Sequence, residues 1–378
     1  MNGKIIFVSY IQDPYNAGTS TQIMTENLLC GLKMMNLNIL FVAVVDNESI
    51  SGNVKKRYSM YSDDIVIIKS RLNNSGHNKY AQLALNLYSM FTPSEYEKKI
   101  RQITVYDNDI IITHTPSLEP VPIVKELKKK NNNVRYIQYW SDPYTLSGII
   151  PENFNLKRIP FYFLEKYILS QSNDIVYGTK TLLNIQQKLF TKEACKMRYI
   201  DVSYCTNKLT HNNDPNTNEK IFGYSGNYYS NIRNIQPLYE AFNDISNCKL
   251  MIIGSGNVKL HSTKNIEILH RVPQSDIEEY ENKMDVLICI LNSGCAQIPG
   301  KVFYNTNSDK PILVILDGPY KNEIKEYLMS FERFEFCNNE KHSIKAAVNR
   351  ILSKRYSANL ESVKKLSPKS IIKQLLQI

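Results

Sequence analysis

The sequence predicts an α/β chain built from two doubly wound parallel-sheet domains in tandem. Three observations carry that expectation. Short β-branched runs alternate with segments of helical periodicity, the alternation stops at a polar stretch near residue 210, and it then begins again. The length of 378 residues suits two domains. A composition of 43% hydrophobic and 22% charged residues is ordinary globular usage, which excludes wholesale disorder and collagen-like repetition.

In the first half, strands are expected at Ile5–Val8, Ile39–Val45, Asp64–Ile68, Asp109–Thr113, Val134–Tyr139 and Asp174–Tyr177. Helices are expected over Thr21–Met35, Pro122–Lys130 and Thr179–Leu189, the last with a threonine cap. Strands that are apolar almost throughout belong to a sheet covered on both faces. The stretch Leu209–Lys220, with its central Pro215, reads as an exposed linker. Beyond it come strand Ile221–Tyr224, helix Asn234–Ile245, strands Lys249–Ile253 and Asn265–Leu269, helix Ser275–Lys283, strand Asp285–Leu291, a helix near Lys301–Asn307 and strand Pro311–Leu316. The tail from Leu360 carries one apolar face interrupted at Pro368 and is expected to return to the first domain. The predicted limits are 1–208 for the first domain, 209–220 for the linker, 221–355 for the second domain and 356–378 for the tail.

No apolar run approaches the ~18 residues of a membrane span. The strand beginning at Lys4 is too early and too short for a signal-peptide core, so the expected location is the cytoplasm. Seven cysteines without ligand spacing suggest reduced thiols, with Cys289 a buried one. The formal charge of +10 includes clusters at Lys55-Lys56-Arg57 and Lys128-Lys129-Lys130. Such runs are usually solvated faces; the functional alternative is peripheral contact with an anionic membrane at its inner face. Nucleic acid is not expected, since there is no zinc finger, RNP-like pattern or basic heptad helix.

Ligands of such sheets bind at the carboxyl ends of the strands, so the active site is expected in a cleft between the domains. After the first strand of the second half, Gly226-Asn227 forms a tight loop followed by Arg233. The glycine would admit a ligand and the arginine could clamp phosphate oxygens; a surface arginine after an ordinary turn is an equal reading. Gly254-Ser255-Gly256-Asn257 ends the next strand, and a plain turn explains it as well as a phosphate loop does. Pro299-Gly300-Lys301 should open a helix, whose exposed N–H groups and the Lys301 ammonium favour a bound phosphate. In the first half, His114 after its strand is expected to be a site residue. Asn16–Ser20, with Gly18, is either a glycine loop at the ligand or an ordinary capped helix start. Trp140 and Asp142 end a strand, and Asp142 is equally a substrate contact or a turn aspartate before Pro143. Asp107-Asn108-Asp109 has metal-pair spacing but precedes its strand, so no metal is expected.

The ordered series from Gly226-Asn227 and Arg233 through Gly254–Asn257, Met284–Ile288 and Ile298–Phe303 to Lys310–Leu313 resembles the donor domain of family-4-type glycosyltransferases, retaining enzymes of GT-B fold that use nucleotide sugars. The resemblance covers residues 221–316 and, in pattern only, the first half. It implies that Arg233 and Lys301 hold the donor diphosphate, that His114-Thr115-Pro116 touches the donor sugar, and that Gly18 lies between phosphate and acceptor. The two-glutamate signature should fall at positions 296 and 304, where this chain has Ala296 and Tyr304; a tyrosine could give the ribose one comparable hydrogen bond. The implied activity is metal-independent transfer of a hexose from a nucleotide diphosphate sugar, a substrate in place of any cofactor, to a saccharide or lipid-linked acceptor in polysaccharide or glycoconjugate synthesis. Two alternatives remain, a catalytically silent glycosyltransferase-like partner subunit and a nucleotide-sugar epimerase.

Overall fold

A computed structural model of the chain describes residues 3–15, 19–70, 96–115, 118–146, 156–206, 209, 219–354 and 356–378. Two compact units are distinguished. One comprises residues 1–145, 155–201 and 371–378, and the other residues 146–154 and 202–370. Most of the expected linker, 210–218, and the loop residues 16–18 lie outside the described residues.

The first unit is built on a seven-stranded sheet in the order β3-β2-β1-β4-β5-β6-β7, with every pairing parallel. Its strands are β1 (Ile5–Tyr10), β2 (Ile39–Val45), β3 (Asp64–Lys69), β4 (Ile110–Thr115), β5 (Arg135–Trp140), β6 (Asp174–Tyr177) and β7 (Met197–Tyr199). All seven residues of β2 are buried, the signature of a strand covered on both faces. Each such apolar side chain contributes about 1.5–3 kcal/mol on leaving water. The helix Lys180–Leu189 starts where Thr179 accepts the Leu182 N–H at 3.2 Å, a cap typically worth about 1 kcal/mol. In the tail, Pro368 opens the helix Pro368–Leu376 instead of kinking one, because proline at a first helical position lacks only an N–H that would be unpaired anyway. Arg198 donates to the carbonyls of Gln374 and Leu375, and Arg135 to that of Leu376, satisfying the end of that helix.

The second unit carries a six-stranded parallel sheet in the order β10-β9-β8-β11-β12-β13. Its strands are β8 (Lys220–Ser225), β9 (Cys248–Ile253), β10 (Ile266–Leu269), β11 (Val286–Ile290), β12 (Ile312–Leu316) and β13 (Phe334–Asn338). Residues 202–206 already belong to this unit, where Tyr204 N–H donates to Leu366 O and Cys205 N–H to Tyr304 O. The chain therefore enters the second unit before position 208. In both sheets the strand order reverses once, at β1/β4 and at β8/β11, and such a switch point opens a crevice at the carboxyl ends of the strands.

Candidate functional site

In the second unit, the loops after β8 and β11 meet at the switch point. Arg233, which follows β8, donates through Nε to Asn292 Oδ1 at 2.8 Å, and Asn292 follows β11. Asn292 is itself held by its Nδ2 bond to Gln297 O at 3.1 Å. Lys301 Nζ donates to Ser225 Oγ, the last residue of β8, at 2.6 Å and to Glu281 Oε1 at 3.0 Å. Arg233 and Lys301 converge on β11: burial pushes the Cys289 thiol up to about 12, and both cations act to lower it. Neither is buried deeply, and among the described residues Arg233 makes no ion pair. A pair of cations spanning a switch point can neutralise a diphosphate.

Glu281 is a member of this cluster that the sequence reading did not single out. It lies on the helix Gln274–Lys283, is 7% exposed, and also accepts from Ser225 Oγ and, at 3.4 Å, from Asn305 Nδ2. Burial raises its pKa, but the Lys301 ammonium and the hydrogen bonds from Ser225, Lys301 and Asn305 outweigh that and hold the carboxyl below its ordinary range. Lys301 is therefore a paired lysine, with one of its three donor protons left for a ligand. A signal was present: Glu281 stands four residues after Ile277 and three before Met284, on the helical stripe that faces the core. Lys310 supports this helix from beneath. Fully buried, it donates to the carbonyls of Glu281 at 2.8 Å, Asn282 at 2.8 Å and Met284 at 2.6 Å. Arg333 in turn holds the carbonyls of Thr306, Ser308 and Lys310.

Two expectations for this region need correction. The helix after Pro299-Gly300 is only four residues long, Lys301–Tyr304, and its Val302, Phe303 and Tyr304 N–H groups already bond to Pro299 O or Gly300 O. So short a helix offers little dipole, and the anion site expected at its start reduces to the Lys301 ammonium. The glycines of the two turns serve loop packing. A Cβ on Gly254, at φ +152°, would lie 2.0 Å from Gly226 O, and one on Gly256 would lie 1.6 Å from Tyr228 O. The turns are zipped together by Gly226 N–H to Ile253 O and Tyr228 N–H to Ser255 O, while Asn227 O accepts from the Tyr224 hydroxyl. Ala296 and Tyr304 are both buried.

At the first unit's switch point, His114 is 1% exposed, contrary to the expectation of a loop residue. The reason is that β4 runs on to Thr115, so His114 pairs with Tyr139 inside the sheet instead of following it. Its Nδ1 is 2.9 Å from Thr25 Oγ1, which is 3.2 Å from Ser9 Oγ, and its ring meets Tyr139 edge-on with centroids 5.5 Å apart. Nε2 is buried and has no hydrogen-bond partner among the described residues. Burial drives the imidazole pKa down to about 3, so the ring is neutral at physiological pH. Trp140 is a core residue and not a surface for substrate. It is fully buried in β5 and spends its indole N–H on Gln138 Oε1 at 2.9 Å. Asp142, just past β5, is half-buried and lies 3.3 Å from Ser141 Oγ. Asp109 accepts the backbone N–H groups of Lys4 and Tyr106, a turn role. Gly18 and Pro116 lie outside the described residues.

No protein-family model matches the chain, and no curated protein matches it by sequence. Solved structures do match over its whole length. HepE of Anabaena in complex with UDP and glucose aligns with a TM-score of 0.57 at 11% identity, covering 100% of this chain and 97% of that one. The N-terminal domain of Candida albicans trehalose-6-phosphate phosphatase aligns with a TM-score of 0.57 at 13% identity, covering 100% and 94%. A UDP-N-acetylglucosamine 2-epimerase aligns with a TM-score of 0.54 at 10% identity, covering 98% and 92%. Two parallel α/β units in tandem, each with one reversal of strand order, together with these full-length likenesses, give this chain the two-domain GT-B fold.

Proposed function

We propose that the chain is a glycosyltransferase whose second unit binds the diphosphate of a nucleotide sugar. The observation that carries this reading is the placement of Arg233 and Lys301 on the two segments that follow β8 and β11 at their switch point, tied to each other's strands through Asn292 and Ser225. Neighbours of the same fold were solved with UDP or with UDP-glucose, which supports a nucleotide-sugar donor. As the bond from the anomeric carbon to the diphosphate oxygen breaks, negative charge grows on the leaving group. Fixed cations then stabilise the transition state more than the ground state, without a divalent ion. The acceptor oxygen forms the new bond on the face the diphosphate leaves, retaining configuration, and its proton passes to the departing phosphate. In the first unit the half-buried Asp142 is assigned to an acceptor hydroxyl, while His114 lies inside the sheet and is not assigned to the sugar. The fitting acceptor class is a saccharide or lipid-linked saccharide of polysaccharide or glycoconjugate synthesis.

A second reading, a catalytically silent partner subunit, is favoured by the Glu281–Lys301 pair and by Ala296 and Tyr304 in place of carboxylates. One screen separates the readings. The full chain is incubated with a panel of nucleotide sugars, with and without saccharide acceptors, while nucleoside diphosphate release and thermal stabilisation are followed. Acceptor-dependent release is expected. Release without acceptor would instead indicate an epimerase, and absence of both release and stabilisation would indicate the silent subunit.

A further inference from the structure

Lys301 is held in a closed ring of hydrogen bonds. Its Nζ donates to Ser225 Oγ at 2.6 Å and to Glu281 Oε1 at 3.0 Å, and the Ser225 hydroxyl itself donates to Glu281 Oε1. The second carboxylate oxygen accepts from Asn305 Nδ2 at 3.4 Å. The backbone behind this carboxylate is fixed as well, because Lys310 donates to the Glu281 carbonyl at 2.8 Å. Such a ring orients Lys301, but a carboxylate on the lysine also weakens its pull on an anion.

That carboxylate stays charged. Burial opposes its ionisation, yet the Lys301 ammonium and the hydrogen bonds from Ser225, Lys301 and Asn305 hold it below the ordinary carboxylate range. Lys310, a further cation beside it, sits on the backbone side and also meets the charges of Asp285 and Asp309. Two of the three Lys301 ammonium protons are used within the ring. A phosphate oxygen bound through the third lies within two hydrogen-bond lengths of Glu281 Oε1, about 6 Å. At that separation, a further unit of negative charge on the ligand meets a repulsion worth about tenfold or more in affinity.

The diphosphate of a nucleotide sugar carries two charges, because its terminal phosphate is esterified. A free nucleoside diphosphate gains most of a third above the second phosphate pKa of about 6. We infer that Glu281 is a selectivity residue of the second unit, which lets the site hold the esterified diphosphate of a donor and disfavours the more highly charged free diphosphate. This inference rests on the nucleotide-sugar reading. On transfer, the leaving diphosphate takes the electron pair of the broken bond and the proton of the acceptor. When that proton passes to water, the third charge appears close to Glu281, and release of the product is favoured. A carboxylate that served only to buttress Lys301 would affect both ligands alike.

The test is titration calorimetry of the full chain and its Glu281→Gln variant at about pH 7.5, with ligand pairs that share a base: UDP with UDP-glucose, ADP with ADP-glucose and GDP with GDP-mannose. Glutamine keeps the volume of the side chain and an oxygen for Lys301. Within a pair the contribution of the base cancels, and comparison of variant with parent cancels that of the sugar. The ratio of affinities, free diphosphate over sugar ester, is expected to rise about tenfold in the variant. Thermal melts verify folding. Should the variant misfold, the parent decides, since it is expected to bind the matching nucleoside triphosphate more weakly than the diphosphate. An unchanged or lowered ratio, or a parent that binds the triphosphate more tightly, would overturn the inference and leave the nucleotide-sugar reading standing. A parent that binds no member of any pair would overturn that reading and the inference with it.

Discussion

At the strand reversal between β1 and β4 the hydrogen-bonded trio Ser9, Thr25 and His114 is buried, with the imidazole neutral at physiological pH, and the Tyr10 hydroxyl at the end of β1 donates to Asp46. At the reversal between β8 and β11 they are Arg233, Lys301 and Glu281, two half-exposed cations and a buried carboxylate. The backbone architecture at the two places is alike, and the chemistry is opposite. Buried groups that bond to one another present no surface to a ligand, whereas half-exposed cations that are already desolvated in part suit a diphosphate. The difference shows how one architecture used twice in a chain can carry an internal hydrogen-bonded trio at one switch point and half-exposed cations at the other, with the side chains around two strands making the division.

The largest test of that contrast is Lys301→Ala. On the proposed reading, transfer should fall by about a hundred- to thousandfold, as it does when one transition-state donor is lost, and nucleoside diphosphate binding measured by calorimetry should weaken with it. His114→Ala should leave nucleoside diphosphate binding unchanged; a loss in both variants would erase the distinction between the two regions. Next comes Lys310→Met, which strands the carbonyls of Glu281, Asn282 and Met284 at the end of the helix Gln274–Lys283 and should cost about 3 kcal/mol. Scanning calorimetry should show a fall of roughly 6–12 °C confined to the transition of the second unit.

A third effect belongs to the first unit. Glu165 is fully buried, and burial raises its carboxyl to about 7 despite hydrogen bonds from Thr145, while burial lowers His114 to about 3. Between about pH 6.5 and 4.5 the unfolded chain protonates at His114 but the folded chain does not, so acidification is destabilising there. Over the same interval the folded chain holds a proton on Glu165 that the unfolded chain releases, so acidification is stabilising, and the two largely cancel. Glu165→Gln removes the compensation. Its stability by urea titration should drop by up to about 2–3 kcal/mol between those pH values, while the parent stays nearly level. The smallest expected change is with a chelator: with positive charge supplied by Arg233 and Lys301, EDTA should alter transfer less than about twofold, within the scatter of rate measurements.

Much of the fold was legible in the sequence. Strands β2 and β6 occupy the predicted residues, and the Thr179 cap forms as its position suggests. Periodicity could not reveal β7, three residues long at a sheet edge, and in the five residues of β13 the alternation Phe334-Glu335-Phe336 breaks at Cys337, too short a period-2 signal to mark a strand. At the sites, residue type placed the cations Arg233 and Lys301 after β8 and β11 but said nothing of the Asn292, Ser225 and Glu281 side chains that hold them. Glu281 stands on the apolar stripe of its helix, which signals burial, but only the third dimension brings it against Lys301.

Strand extension was equally invisible. Two more residues of pairing at the end of β4 and one at the end of β5 turn His114 and Trp140 from expected ligand contacts into interior side chains. Local sequence, through hydrophobic period, turn residues and caps, determined that this chain forms two parallel α/β units, because those preferences act within a few residues of each position. Tertiary structure decided which cations are already neutralised, which glycines serve packing and which polar groups are buried, because burial and ion pairing depend on neighbours tens of residues away.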